Sequence, residues 1–340
     1  MGRPVDLVIA GAGMSGLALA RALAARSGGP RRVVLADPGL GRPVDKTICL
    51  WGDLPRWLGP VVRHTWGELE VGFPGWRRVD LVGRQRYHAL SSAHYAEQLL
   101  NKVGADPRFE VVGAPVRVLA RRADGLTVAV GDDVVHTDRL VWATGPARAA
   151  RSDALLLQHF RGWEIETARP AFDPKRATLM DFDVPQAGGP TFAYVLPFSP
   201  TRALVEWTVF SSAPWGAERY DAALADYADA RFGPHVVRRV EAGVLPMSLA
   251  PAPPVGREVF LGAGGGMIRP STGYAFRRSL QQAERVAAAI ARGRAPAGRG
   301  QSPLRFRMYD HLMLHALRAE GPRGWRLFEA LFRHNAVGDV

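Results

Sequence analysis

One carboxylate, Glu206, stands in a segment whose other residues are suited to burial. Residues 202–210 alternate in the manner of a strand that places one face on a core. An acid on that face loses hydration, which is costly unless the acid is paired or keeps its proton. The segment therefore predicts either a buried acid able to protonate an unreactive double bond, or an ion pair at a sheet edge with Arg202.

A second chemical signature is the glycine turn at residues 11–16, Gly-Ala-Gly-Met-Ser-Gly, followed by Asp37. The first glycine permits a tight turn, the second lets a pyrophosphate approach the backbone, and the third lets helix and strand pack closely. An acid about 20 residues further on accepts ribose hydroxyls. Because a buried strand precedes the turn and a helical segment follows it, the pattern predicts dinucleotide binding rather than a plain glycine turn.

The elements that must hold these groups are typical of an α/β unit. Apolar runs of the kind found in parallel strands buried on both faces occur at 5–10, 32–36, 140–145 and 259–261. Helical spacing predicts helices at 17–25, 92–103, 220–231 and 276–292. Short strands are predicted at 69–73, 79–82, 109–112, 116–121, 126–130 and 134–137, and residues 155–250 form a second block of strands.

FAD is preferred to NAD because of two further segments. Flavoproteins of the glutathione-reductase type carry an Ala-Thr-Gly at a mid-chain strand end and a late strand-glycine-helix segment near the flavin; residues 143–145 and 259–266 resemble both. No second Gly-x-Gly-x-x-Gly occurs, so NAD(P)H would visit only transiently as a reductant. We predict an α/β fold with a Rossmann-type FAD-binding domain, an inserted mixed or antiparallel β-sheet substrate domain and C-terminal helices. The predicted bounds are 1–90, 110–150 and 255–295 for the FAD-binding domain, 151–254 for the substrate domain and 296–340 for the C-terminal segment.

Composition limits the kinds of bonds, metal sites, locations and partners to be expected of this chain. The 340 residues are 47% hydrophobic and include one cysteine, Cys49, which excludes an intrachain disulfide and argues against a multi-cysteine metal site; no metal is predicted. The chain shows neither a secretory signal nor an apolar run long enough to span a membrane, so we expect a cytoplasmic location. The net charge of +12 comes with no nucleic-acid-binding signature, and we expect no nucleic-acid partner.

The C-terminal segment contributes to this positive charge and is also rich in apolar residues. From Arg292 to His334, nine arginines and three acids are interleaved with bulky apolar residues. This pattern favours a helix lying in the headgroup region of a membrane, and therefore peripheral membrane association. A solvated helix packed on its own domain is the alternative.

Five segments together resemble the soluble, flavin-dependent bacterial lycopene β-cyclase family over nearly the whole chain. They are the glycine turn, 45–51 (Asp-Lys-Thr-Ile-Cys-Leu-Trp), 158–163 (Gln-His-Phe-Arg-Gly-Trp) with 180–182 (Met-Asp-Phe), the Glu206 strand, and 269–276 (Arg-Pro-Ser-Thr-Gly-Tyr-Ala-Phe). The resemblance implies that Glu206 is the acid of cyclisation and that the partner is lycopene or a related acyclic carotenoid. It also implies a redox-neutral reaction that needs reduced FAD and forms γ-carotene and β-carotene.

The remaining site predictions follow from these segments. Aromatic or acidic residues near the acid are expected to line the substrate tunnel: Trp51, Phe160, Trp163, Asp181, Tyr194 and Trp207. The cofactor is expected to contact Gly11, Gly13, Met14, Ser15, Gly16, Asp37, Thr144, Gly145, Gly264, Pro270, Thr272 and Gly273. Glu164 and Glu166 compete with Glu206 for the role of acid, and His159 is expected to be structural.

Two other functions stay open at this point. A geranylgeranyl reductase or another flavin-dependent oxidoreductase would consume reductant and change the mass of its substrate. A flavin-bearing isoprenoid carrier would return its ligand unaltered. The sequence does not indicate whether one or both ends of the polyene are closed, nor the oligomeric state.

Overall fold

The computed structural model describes residues 4–42, 45–145, 155–248, 257–296 and 303–339. The strands are β1 Val5–Ala10, β2 Val33–Ala36, β3 Thr47–Trp51, β4 Val62–Trp66, β5 Glu68–Phe73, β6 Trp76–Leu81, β7 Tyr87–Ser91, β8 Phe109–Val112, β9 Val116–Arg121, β10 Leu126–Val130, β11 Asp133–Trp142, β12 Leu156–Thr167, β13 Arg176–Asp181, β14 Thr191–Ser199, β15 Arg202–Ser211, β16 His235–Met247 and β17 Glu258–Phe260. The α-helices are α1 Met14–Ala24, α2 Ser92–Gly104, α3 Ala217–Phe232, α4 Phe276–Ala291, α5 Leu304–Glu320 and α6 Trp325–His334.

The first sheet has the order β8-β2-β1-β11-β10-β9, with β17 also paired to β11. Strands β8, β2, β1, β11 and β17 are parallel neighbours, and α1 and α4 pack on them through a buried apolar cluster. This is the Rossmann-type unit that the sequence predicts, because continuous apolar strands need helices to cover their faces. The two strands predicted at 134–137 and 140–145 are one strand, β11: it pairs antiparallel with β10 and parallel with β1 and β17.

The second sheet has the order β16-β12-β15-β14-β13-β5-β6 and is mixed, since β5 and β13 run parallel. Strands β5 and β6 were assigned from sequence to the FAD-binding part, yet they extend this second sheet. The pairing of β5 with β13 joins residues more than 100 positions apart, which a local pattern does not reveal.

The two faces of the second sheet are covered differently. Helix α3 packs on one face through an apolar cluster that includes Tyr220 and Leu224. On the other face, residues of the small sheet β3-β7-β4 and of α5 and α6 share a cluster with β13, β14 and β15. Within the described part of the chain, no helix combines the length and apolar character needed to cross a bilayer.

Candidate active site

The glycine turn forms a cradle at the carboxyl end of β1. Gly11 has φ +109°, and a Cβ there would lie 2.8 Å from the carbonyl oxygen of Ala143. A Cβ on Gly16 would overlap the Gly11 carbonyl, so this glycine allows α1 to approach β1. A Cβ on Gly13, by contrast, would meet nothing within 4 Å. The three positions therefore have the geometry expected for a turn, a packing contact and an open approach for a ligand.

The other predicted cofactor residues gather at the same edge of the sheet. Asp37, after β2, accepts a hydrogen bond from the amide of Ala12 at 2.7 Å. Thr144 and Gly145 follow β11, and a Cβ on Gly264 would lie 3.4 and 3.5 Å from their carbonyl oxygens. Met14 and Ser15 begin α1, and the Ser15 side chain faces Gly262 in the turn after β17.

The segment 269–275, which carries Pro270, Thr272 and Gly273, is held by a residue that sequence reasoning missed. Asp310 of α5 is 3% exposed, accepts a hydrogen bond from Ser271 Oγ at 2.6 Å and lies 3.2 Å from Arg269 Nε. The C-terminal helix is thus tied to the segment that precedes α4. A lone aspartate in a basic helix was the only sequence signal.

These residues fit a bound dinucleotide on two grounds. Space is open beyond Gly13 and Gly145, where a Cβ would meet nothing within 4 Å. The buried Gln158 Oε1, which lies against Gly273, has no hydrogen-bond partner in the described structure. A buried acceptor without a donor is costly, and a ligand N–H or O–H would satisfy it. Gln158 is the first residue of the segment 158–163 but was not among the predicted site residues.

A row of side chains crosses the second sheet beside this cradle. Tyr194 of β14, Glu206 of β15, Gly162 of β12 and Glu241 of β16 are successive register partners. Directly opposed residues on neighbouring strands share one face of a sheet. This face is the one covered by the small sheet and the C-terminal helices.

Glu206 has no cationic partner among the described residues. It accepts one hydrogen bond, from Thr208 Oγ1 at 3.0 Å, and the alternative partner Arg202 donates to Glu164 instead, at 2.6 Å. Although the side chain keeps a partly accessible surface, it lies deep on the covered face of the sheet. Burial, and then the charge of Glu241, raise the pKa of Glu206 to about 8. Glu206 therefore keeps its proton at neutral pH.

The competing acids are engaged elsewhere. Glu164 is 2% exposed and lies 2.5 Å from Arg63 and 2.6 Å from Arg202, and hydrogen bonds from arginines hold its pKa below the usual range despite burial. Glu166 is more exposed and pairs with Arg238. Glu164 therefore does not have the environment of a proton donor at neutral pH.

Neutral polar groups surround Glu206. Burial raises the pKa of the Cys49 thiol of β3 to about 12, although a hydrogen bond with Tyr87 opposes this shift. The hydroxyls of Tyr87 and Tyr274 are 3.5 Å apart, and Tyr274 also hydrogen-bonds Tyr194. Burial raises the pKa of all three phenols. The thiol and the three phenols near the acid are therefore uncharged at neutral pH.

A cavity of about 490 Å³ opens next to this cluster. Cys49, Trp51 and Tyr274 line it on the side of the acid, and the Trp51 and Tyr87 ring centroids are 4.7 Å apart. Its remaining wall is mainly apolar and includes residues of β13, α5 and α6 and one residue after α6: Leu179, Met180, Phe306, Phe328, Phe332 and Val337. Its size is in the range of small-molecule sites.

The structure separates the six predicted lining residues into two groups. Trp51 and Tyr194 lie at the cluster, and Phe160 is two residues from Gly162 on the same strand, packed against Gly243. The other group, Trp163, Asp181 and Trp207, is not brought to Glu206.

These three residues lie on the α3 side because adjacent strand residues point to opposite faces. Trp207 packs against Tyr227, and Trp163 Nε1 donates to Asp221 at 2.9 Å. Asp181 lies 2.9 Å from Arg77 Nη2 and accepts a hydrogen bond from Tyr227. His159 is also on that side, hydrogen-bonded to Tyr220 and Ser211, in agreement with its structural assignment.

The described residues contain no group of three or more histidine, cysteine or acidic side chains arranged to hold a metal ion.

Comparison with known proteins places this geometry in a family. The family described as lycopene cyclase protein matches residues 6–334. Lycopene β-cyclase of Paracoccus sp. is 34% identical over 298 residues, which cover 83% of this chain and 73% of that protein. Lycopene β-cyclase of Pantoea ananas is 28% identical over 239 residues, and this match covers 68% of the chain and 60% of that protein.

Solved structures resemble the fold at low sequence identity. A geranylgeranyl bacteriochlorophyll reductase-like protein from Thermoplasma acidophilum superposes with a TM-score of 0.67 at 15% identity, covering 96% of this chain and 87% of that one. A probable FAD-dependent monooxygenase from Pseudomonas aeruginosa gives 0.62 at 18% identity, covering 97% and 100%. These likenesses support the fold class predicted from sequence.

Proposed function

This chain belongs to the lycopene cyclase family, and on that premise we propose that it closes the acyclic ends of lycopene into β-ionone rings with reduced FAD bound. The observation that carries the proposal is Glu206, a largely buried acid that keeps its proton at neutral pH. It faces aromatic and hydroxyl groups and has no cationic partner among the residues that the structure describes. An alkene is a poor base, so its protonation needs an acid that is held protonated and shielded from water.

The proton of Glu206 adds to C2 of the polyene end and leaves a cation at C1. The C5=C6 bond attacks this cation through C6, which closes the ring and moves the positive charge to C5. Loss of the proton at C6 then restores the C5=C6 double bond, so substrate and product are isomers. Glu206, ionised by the first step, is the base that the site offers for the returning proton. The aromatic faces of Trp51 and Tyr194 stabilise positive charge near the acid.

A carbocation must also be protected from nucleophiles. The thiol of Cys49 and the phenols of Tyr87, Tyr194 and Tyr274 are nucleophilic groups near Glu206, and burial raises the pKa of each. Their anionic forms are therefore scarce at neutral pH. The same burial excludes water, which would trap the cation as an alcohol.

The cofactor proposed for the cradle is FAD. Gly13 and Gly145 leave room for its pyrophosphate, Asp37 would hold its ribose, and the segment 269–275 with Gln158 would border its ring system. Reduced FAD, when bound, supplies a negatively charged ring that stabilises nearby positive charge without forming a bond to it. We propose NAD(P)H as a transient reductant, which is tested by following flavin absorbance when NADPH is added without oxygen.

Peripheral attachment to an anionic membrane surface is proposed for α5. Leu304, Met308 and Leu312 recur every fourth residue and are 79%, 53% and 59% exposed, while Asp310, Leu314 and Leu317 on the opposite side are buried. Arginines 305 and 307 flank the apolar stripe. An exposed apolar stripe beside basic residues suits the headgroup region of an anionic leaflet. Phe306 of the same helix lines the cavity, so docking would bring the cavity close to dissolved carotenoid.

Turnover is tested by anaerobic incubation of the protein with lycopene in liposomes under dithionite, followed by chromatography and mass measurement of the products. Cyclised product of unchanged mass is expected, and Glu206→Gln should abolish it while flavin stays bound. The control is Glu166→Gln, a partly exposed glutamate of the neighbouring strand. A product of changed mass would indicate an oxidoreductase, and lycopene recovered unaltered would indicate a carrier; either result would refute the proposal.

Membrane attachment is tested by flotation with vesicles of phosphatidylglycerol and phosphatidylcholine. The double variant Met308→Ser/Leu312→Ser should float far less than the wild type. Val134→Ser is the matched control, because Val134 is 59% exposed like Leu312 but lies in the first sheet. Equal flotation of the double variant and the wild type would remove α5 as the docking surface.

A further inference from the structure

A second glutamate faces the proposed acid across a glycine. Glu206 and Glu241 are both register partners of Gly162, one on each side of β12. Since neighbouring strands lie about 4.8 Å apart, the two glutamate Cα atoms are separated by about 10 Å. A Cβ on residue 162 would lie 3.3 Å from Glu206 Cβ, so the glycine keeps the space between the two carboxyl groups free of a side chain.

The two carboxyl groups have different partners. Glu241 is 5% exposed, and its Oε2 accepts hydrogen bonds from Arg239 Nη1 at 2.7 Å, from the Thr47 amide at 3.0 Å and from Thr47 Oγ1 at 3.2 Å. Glu206 accepts one bond, from a neutral hydroxyl. Charge-assisted bonds from an arginine favour the ionised form of a carboxyl group. These contacts therefore favour the ionised form at Glu241 and the protonated form at Glu206.

We propose that Glu241 is a positioning residue for the reaction: its negative charge, fixed by Arg239 and Thr47, keeps the proton on Glu206. This inference rests on the proposed function and adds the source of the acid's protonation. Two unequal carboxyl groups of this kind are a recurring way to hold one of them protonated near neutral pH. Gly162 is part of the device, because a larger residue would stand between the two glutamates.

The electrostatics of the surrounding groups agree with this assignment. Besides Glu241, the titratable groups that face Glu206 are Cys49 of β3 and Tyr194 of β14, and both are neutral because burial raises their pKa values. Burial raises the pKa of Glu241 above its usual value, and Arg239 and Thr47 offset part of this shift. Arg239 in turn contacts Glu164 at 3.2 Å and lies 4.0 Å from Asp45. Glu241 is thus the one anion that faces Glu206 within the described residues.

The test compares the pH dependence of lycopene cyclisation by the wild type, Glu241→Gln and Glu241→Asp, all loaded with FAD and assayed under dithionite. Glu241→Gln removes the charge and keeps an acceptor for Arg239, so its activity should fall at a pH about one unit lower than in the wild type. Glu241→Asp keeps the charge and should leave this alkaline limb close to its wild-type position. If Glu241 were merely structural, Glu241→Gln would lose activity equally at every pH, and an unmoved limb would overturn the proposal.

A second measurement does not depend on turnover. The infrared carbonyl band of the protonated Glu206 carboxyl, identified by its absence in Glu206→Gln, can be titrated in FAD-bound protein without substrate. Its midpoint should be lower in Glu241→Gln, and an unchanged midpoint would contradict the inference even if the variant is inactive. If the wild type does not cyclise lycopene, the proposed function fails, but the titration still decides whether Glu241 controls the proton on Glu206.

Discussion

Replacing Glu206 with glutamine should make the protein more stable at neutral pH while removing its activity. Burial raises the pKa of this carboxyl from 4.5 to about 8. Between these two values the unfolded chain releases the proton and the folded chain retains it. Because the unfolded state then binds fewer protons, the free energy of unfolding falls as the pH rises through this window. Glutamine has no proton to lose and escapes that penalty.

The size of the effect follows from the window. Each pH unit within it weakens the folded state by about 1.4 kcal/mol, and pH 7 lies about 2.5 units above the unfolded value, which gives about 3 kcal/mol. At pH 4 the carboxyl is protonated in both states, so the penalty vanishes. The stability of Glu206→Gln is compared with that of the wild type at pH 4 and again at pH 7. The prediction concerns how much this difference in the free energy of unfolding grows between the two pH values.

Urea unfolding followed by tryptophan fluorescence, at one fixed FAD concentration, measures this quantity. Glu166→Gln is the control, since its side chain is 37% exposed and pairs with Arg238 at the surface. The variant should gain about 3 kcal/mol relative to the wild type on going from pH 4 to pH 7. A stability difference that stays constant within about 1 kcal/mol over this range would refute the view that Glu206 is held protonated.

Three further substitutions test the assignments around the site. Gly13→Val should fold, because a Cβ there meets nothing within 4 Å. Its FAD dissociation constant, measured by flavin fluorescence, should rise more than about tenfold, because the side chain fills the space through which the pyrophosphate approaches. An FAD affinity equal to that of the wild type would contradict this prediction. Asp310→Asn should weaken FAD binding by about tenfold in the same titration, because it weakens charge-assisted bonds to Ser271 and Arg269, and unchanged binding would show that the segment holds without them. Trp207→Phe should keep most of the cyclisation rate, because Trp207 faces α3 and not Glu206; loss of the rate with unchanged flavin binding would return Trp207 to the site.

The geometry of the glycine turn could be predicted from sequence because its requirements are local. The turn at 11–16 needs glycines at fixed spacing between one strand and one helix, and all of these lie within about 20 residues. The structure brings Thr144, Gly145 and Gly264 to the same edge because the carboxyl ends of parallel strands meet there. Asp310 was missed because it reaches this edge from a helix near the C-terminus.

The tunnel lining was predicted less well, although part of the signal was present. Trp207 follows Glu206 directly, and adjacent strand residues point to opposite faces, so the sequence alone argued against placing both in one site. Glu241 was missed for another reason. Its position opposite Glu206 depends on β16 and β15 flanking β12 in register at Gly162, and no local pattern predicts the pairing of strands so far apart in sequence.

The environment of Glu206 opposes stability for the same reason that it suits the proposed chemistry. A carboxyl buried beside an anion lowers the free energy of unfolding at neutral pH, and replacement by a neutral residue would relieve this cost. Yet the burial that keeps the proton on Glu206 also raises the pKa of Cys49 and Tyr194, and so removes the thiolate and phenolate that would capture a cation. In a more polar site, Glu206 would lose its proton and the neighbouring thiol and phenols would become nucleophilic anions at the same time. Burial thus controls both the protonation of Glu206 and the scarcity of nucleophiles near it, so one cannot be changed without the other. Substitutions that admit water should therefore slow ring closure and also divert the cation to hydroxylated products.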